Sequence, residues 1–387
     1  MQRCHVMIVG AGIGGLTAAL SLQRHGFTVS VYEQASALQE VGAGLVLTPN
    51  AMRALNFLGV SGAIAATSNP TSELEVRHYR TGQVLQRRAA GDFYQSKYGA
   101  GYFQVHRADL HGALSAAVLA YDSTCIHLNR AFISLVQGES SVMARFSDAT
   151  VAEGDALIGC DGGRSTVREK VHASGPAVYT GQVSFRALVA AECLPGRLRT
   201  SPRCMHIGPG RTFVHYPLRK GSIINVVGNA RQPRWEDEGW TIPAEVSELL
   251  DLYSDYHSDV LQLIKSIEPQ ALFKWGLRDR EPLQQWTIDR VSMLGDAAHP
   301  MLPFLGQGAV MAIEDGMVLG RCFAKASSPQ EALRLYGGAR KQRANAAQIR
   351  TRERARALQG LDSDPNPGRD AEDLGMFEYD PTTVPIC

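Results

Sequence analysis

An unbroken apolar run, HVMIV at 5–9, has the length of a buried strand, and the spacing then changes. Leu16, Ala19, Leu20 and Gln23 recur at intervals of three and four until Gly26, which is the period of a helix with one buried face. FTVSVYE at 27–33 returns to strand character, so the chain opens as a strand–helix–strand unit. Two later apolar strands, within 155–160 and 291–294, each run into a glycine- and aspartate-containing turn, and a helix is expected from Gly308. Segments 76–99 and 176–274 alternate apolar and polar residues, which predicts an antiparallel sheet. The Ala-, Arg- and Lys-rich stretch 330–359 predicts a charged helix that is solvated or contacts another subunit, and a homodimer is one expectation. Residues 361–373, polar and proline-containing, read as a loop before a tail.

These elements give an α/β chain. A Rossmann-like nucleotide-binding domain is expected to be discontinuous over 1–75, 100–175 and 275–325. An antiparallel-sheet substrate domain takes 76–99 and 176–274, and a C-terminal helix and tail take 326–387. In the opening unit Gly10, Gly12 and Gly15 form G-x-G-x-x-G, with Gly14 as a fourth glycine. Such glycines let the backbone turn tightly and approach a pyrophosphate, while the helix N-terminus offers unpaired N–H groups. Glu33, ending the second strand, suits ribose hydroxyls. The motif predicts dinucleotide binding and by itself leaves FAD and NAD as alternatives.

Composition narrows the partners. Thirty-nine Lys and Arg balance thirty-eight Asp and Glu for a formal charge of +1, which argues against nucleic acid as a main partner. Seven scattered cysteines without a C-x-x-C pair argue against a disulfide framework and against a zinc site, and no metal is expected. Residues 6–22 are uncharged but glycine-rich and shorter than the ~20 apolar residues of a membrane span. A cytoplasmic protein without membrane attachment is expected.

Five segments in order, GAGIGGLTAA with Glu33, HRADLH at 106–111, GCDGGRSTVR at 159–168, HYPLR at 215–219 and LGDAAHPMLPFLGQGA at 294–309, resemble the class A flavoprotein monooxygenases. The resemblance spans nearly the whole chain and implies an FAD-binding fold of the aromatic hydroxylase type. Its nearest subgroup is that of salicylate hydroxylase, 3-hydroxybenzoate 6-hydroxylase and 6-hydroxynicotinate 3-monooxygenase. It implies hydroxylation of a small aromatic acid with O2 through a flavin hydroperoxide, with NADH or NADPH as a transient co-substrate. It further implies that Asp296 and Arg107 contact FAD and that the D-G motif around Asp161 serves FAD and NAD(P)H. Cys160 stands where that family usually has alanine, and Phe377 and Glu378 depart from its usual tail.

Within this frame, Pro303, Leu305, Gly306, Gln307 and Gly308 form a loop whose backbone can approach the flavin, and Phe304 can face the substrate. Tyr216 and His215 are the candidates for orienting or deprotonating a phenol, whose pKa near ~10 leaves it mostly neutral at pH 7. They are neighbours on an alternating strand, so one of them is expected to face the pocket, and the resemblance favours Tyr216. Arg186 is a candidate for a substrate carboxylate. His299 is expected to be structural. A second dinucleotide fold is absent after residue 33, so the nicotinamide is expected to visit the FAD domain. Two further readings remain open at this level: a flavin-dependent reductase on the same fold, and a non-catalytic FAD-binding protein.

Overall fold

The computed structural model describes residues 4–38, 43–172, 175–235, 239, 241–358 and 369–386. The opening run forms the strand His5–Val9, flanked in parallel by Thr28–Tyr32 on one side and Ala156–Gly159 on the other. Val291–Met293 extends the sheet in parallel beyond Ala156–Gly159, giving six strands in all. Both faces of such a sheet are covered, which is why these strands read as continuous apolar runs. The helix Ile13–Arg24 packs on it with Leu16, Ala19, Leu20 and Gln23 all buried, and lies against the helix Gly308–Lys325.

The second large sheet has eight strands and gathers Glu73–His78, Val84–Ala89, Val178–Ala190, Arg203–Gly208, Arg211–Leu218, Ile223–Arg231, Ile242–Pro243 and Phe273–Asp279. Its central ladders are antiparallel, with the Arg203–Gly208 to Glu73–His78 pair parallel. One face is covered by the helices Val246–Leu252 and Ser258–Lys265 through Phe185, Ala187, Phe213 and Val226. The other face turns toward the nucleotide-binding half, where Phe304 and Val214 join the apolar cluster of Met205, Ile207 and Leu358. Among the described residues there are also two three-stranded sheets, one of them Gly44–Leu47, Phe103–His106 and Asn69–Pro70 at the junction of the two halves.

The C-terminal helix runs Pro329–Leu358. Its basic residues do not form a wholly solvated face, because Arg340 is fully buried and Arg354 is 6% exposed. Of the predicted polar loop 361–373 only residues 369–373 are described. The tail beyond them is tied down: Arg53 donates to the carbonyls of Phe377 and Tyr379, and Arg321 to those of Pro381 and Val384. No helix among the described residues is long and apolar enough to cross a membrane.

Candidate active site

The glycine motif builds a cradle at the C-terminal end of His5–Val9. A side chain on Gly15 would put its Cβ 2.0 Å from the Gly10 carbonyl oxygen, so only glycine lets the helix start this close to the turn. Nothing lies within 4 Å of the position a Cβ would take on Gly12, and Gly14 sits behind it against Leu294 and Ala312. The helix that follows has no side-chain cap and no acidic residue in its first turn, leaving its N–H groups for an anion. Glu33 closes the cradle by accepting from the backbone N–H groups of Ala11 at 2.8 Å and Ala35 at 2.9 Å.

Asp296 sits in the turn Gly295–Ala297 beside the N-terminus of Gly308–Lys325. Its side chain is open to solvent, yet surrounding protein desolvates it enough to push its carboxyl above the usual range, against the pull of His299 and Arg107. Arg107, exposed at the start of Arg107–Tyr121, stands within electrostatic reach of both Asp296 and Arg186. Pro303–Leu305 is a single 3-10 turn ended by Gly306 in the left-handed region, after which Gln307 starts the helix. The Gln307 side chain is buried near Thr48 and Asn50, and Leu305 joins the core. Asp161 caps the helix Thr166–Val171, accepting from Ser165 Oγ at 2.5 Å and the Val167 N–H at 2.9 Å. An open anion cradle, a carboxylate beside it and a solvent-open aspartate beside a helix N-terminus are groups that fit an FAD.

The turn carrying Asp296 is braced from behind. Asp315 accepts from His299 Nε2 at 2.5 Å, from the Gly295 N–H at 3.2 Å and from Arg340 Nε at 2.7 Å, all buried. Arg340 also pairs with Glu314, which Arg343 and Asn50 bind at 2.8 and 2.6 Å. Burial would raise both carboxyls, but the His299 ring and Arg340 beside Asp315, and Arg343 and Arg340 beside Glu314, outweigh it and hold them below the usual range. His299 also stacks on Trp286 at 5.2 Å, which matches its expected structural part. Reading the sequence alone missed Glu314, Asp315, Arg340 and Arg343. The signal was an acidic pair inside an apolar helix and an R-x-x-R in an alanine-rich one.

Register assigns each residue of the eight-stranded sheet to a face. Arg186 pairs with Val227, Val227 with Val214 and Val214 with Met205, and the last two share one apolar cluster with Phe304. Tyr216 pairs with Asn225 on this same face. Both meet the junction strand at Gly44, where an added Cβ would lie 2.7 Å from the Tyr216 ring, and Asn225 Oδ1 accepts from the Gly44 N–H at 2.7 Å. His215 points the other way. It pairs with Cys204 and Val226 toward the helix layer and stacks on His206 at 5.6 Å, because neighbours on a strand face opposite sides. Burial, with Arg77 and Arg203 nearby, pushes the His215 imidazole down to about 3.

The face toward Phe304 carries buried polar atoms without partners: Ser184 Oγ, Arg186 Nε, Asn225 Nδ2 and Asn229 Oδ1. Arg186 lies over the Trp275 ring at 4.9 Å and has no carboxylate within 4 Å among the described residues. Buried polar groups in native proteins are normally satisfied, so this set marks a place for a polar ligand. Burial pushes the Tyr216 hydroxyl up to about 12, opposed by Arg186 and Arg203, so it is a neutral donor at pH 7 rather than a base.

The family described as FAD binding domain matches residues 3–351. The chain belongs to this family. As a member of the FAD binding domain family it is similar to the 3-amino-4-hydroxybenzoate 2-monooxygenase of Streptomyces platensis, 34% identical over 91% of this chain and 88% of that one. The 6-hydroxynicotinate 3-monooxygenase of Pseudomonas fluorescens is 32% identical over 100% of this chain and 97% of that one. A salicylate hydroxylase substrate complex shares the fold, with a TM-score of 0.83 and 22% identity over 98% of this chain and 96% of that one. This family member is thus an FAD-dependent enzyme of the aromatic hydroxylase type, in which NAD(P)H is the typical reductant.

Proposed function

We propose that this enzyme hydroxylates a small aromatic acid of the hydroxybenzoate, salicylate or hydroxynicotinate type, using O2 and NADH or NADPH. The observation that carries the reading is the set of unpartnered polar atoms on the sheet face opposite Phe304, with Arg186 lacking a carboxylate. When bound, FAD supplies the redox chemistry that activates dioxygen. Gly10, Gly12, Gly15 and Glu33 would hold the dinucleotide, Arg107 and Asp296 would hold its middle, and the Pro303–Gly308 loop would border the ring. Phe304, Met205 and Val214 exclude water beside the substrate ring. Tyr216 donates a hydrogen bond to the substrate phenol oxygen, and the Arg186 cation nearby favours its phenolate, which drives electrons into the ring. Asn225, held by Gly44, presents its Nδ2 to the same space.

The test is oxygen uptake with NADH or NADPH over a panel of hydroxybenzoates, aminohydroxybenzoates and hydroxynicotinates. Stoichiometric loss of reductant and oxygen with a hydroxylated product supports the reading. Reductant-dependent turnover that persists without oxygen would instead establish a reductase. Neither reaction with any aromatic acid would leave an FAD-binding protein.

A further inference from the structure

A second cationic position lies at the other end of the same sheet face, and half of it comes from the C-terminal helix. Arg203 stands next to Leu74 and, one step beyond the Cys204–His215 pair, beside Tyr216. Its Nε is buried without a partner. Leu358 packs on Met205 and Val76, the neighbours of Arg203 on this face, and Arg354 precedes Leu358 by one helical turn on the same side of the helix. Arg354 is 6% exposed, and its Nε and Nη1 are both unpartnered. Neither arginine has a carboxylate within 4 Å among the described residues. Asp370 and Asp373 act on Arg354 electrostatically, and both are engaged by Arg88 at 3.4 and 2.7 Å. Gln104, fully buried on the Phe103–His106 strand that packs against Arg211–Leu218, also leaves both amide atoms unpartnered.

Two guanidinium groups within electrostatic reach of one another and without an acid in direct contact are costly in a folded chain. Arginines normally reach solvent or an acid, whereas Arg354 is almost wholly enclosed and the half-buried Arg203 keeps its Nε enclosed without a partner. From this juxtaposition we infer that Arg203 and Arg354 form the carboxylate-binding end of the substrate pocket. Arg186 and Tyr216 then face the hydroxyl-bearing end. The inference rests on the aromatic-acid reading above and deepens it: the ligand is a ring with a carboxylate at one end and an ionisable hydroxyl at the other. A planar guanidinium suits a carboxylate in two-point contact.

The experiment uses the FAD-loaded enzyme and two probes for each ring, a hydroxybenzoate and the matching hydroxybenzamide, titrated by the change in flavin absorbance. Parent enzyme is expected to bind the acid more tightly than the amide. Arg354→Met and Arg203→Met are each expected to weaken acid binding by ~10- to 100-fold and to leave amide binding within ~3-fold, erasing the preference. A second readout has the opposite sign from that of a merely structural arginine: Arg354→Met should raise the melting temperature of ligand-free enzyme, because it removes a buried uncompensated charge. Arg354→Lys, keeping the charge without the planar fork, should retain part of the preference. If the preference survives both Met substitutions and is lost in Arg186→Met, the assignment is overturned and the carboxylate belongs at Arg186. A lower melting temperature in Arg354→Met with unchanged acid binding overturns it as well. Absence of binding by any acid to the parent enzyme refutes the aromatic-acid reading itself.

Discussion

Asp296 and Tyr216 are two side chains whose surroundings set different tests. Asp296 is open to solvent beside a helix N-terminus and makes no buried ion pair, so Asp296→Ala should leave the apoprotein's melting temperature almost unchanged. Losing a charge-assisted bond worth ~1.5–3 kcal/mol should weaken FAD binding by ~10- to 100-fold, as read by flavin fluorescence on dilution. Undiminished flavin retention would remove Asp296 from the cofactor site. Tyr216 is buried, and its hydroxyl stays protonated well past neutral pH. Tyr216→Phe keeps the ring that fills the space beside Gly44 and deletes only the donor. Hydroxylation should slow by ~10²–10⁴-fold, and hydrogen peroxide should accumulate as NADH consumption outruns product. Equal coupling in variant and parent would show that the hydroxyl does not touch the reaction. Alternation along the strand already said that Tyr216 and His215 face opposite sides. Which of them faces the flavin half could not be read there, because it depends on the register with strands far away in sequence.

At the scale of elements, the helix Gly308–Lys325 does more than border the flavin loop. Through Asp315 it grips both His299 and the Gly295 N–H, and so fixes the turn that carries Asp296. Asp315→Asn removes one of the two carboxylates that hold the buried Arg340, leaving Glu314 alone against it, and deprives buried His299 of its acid. The expected cost is ~3–5 kcal/mol of unfolding free energy, measured by denaturant titration of the apoprotein, with FAD binding weakened in parallel. A variant as stable as the parent would mean that the bracing is incidental. The strands and helices of the nucleotide half were legible because each announces itself locally, by an apolar run, a helical spacing or a glycine at a tight turn. The long Pro329–Leu358 helix was legible as a helix and misjudged as a surface. Arginine carries no mark in sequence that tells a solvated guanidinium from one enclosed against a distant acid or a ligand.

For the molecule as a whole, acid sensitivity should come first from His206 and His215. Burial pushes both imidazoles down to about 3, aided by their neighbours' charge, while an unfolded histidine titrates near ~6.5. Below that pH the unfolded chain takes up protons that the native chain refuses, so stability is fully present above ~6.5 and falls as pH drops toward 3. Two such groups predict a slope of up to ~2.7 kcal/mol per pH unit. Denaturation curves between pH 7 and 5, above the carboxylate range, should show the decline, and His215→Phe should flatten it. A flat parent curve across that window would exclude these residues as its source.

The order of strands in the nucleotide sheet also bears on the life of the chain before it is complete. His5–Val9 needs Ala156–Gly159 beside it, and that strand needs Val291–Met293, so the cradle's neighbours arrive some 150 and then nearly 300 residues after the glycines themselves. Asp296 and the brace from Arg340 come later still. A ribosome must therefore deliver most of the polypeptide before a stable flavin site exists, and the early apolar strands wait exposed during that interval. FAD that binds the joined sheet adds its binding free energy to the folded state, so the flavin-loaded protein should melt at a higher temperature than the apoprotein.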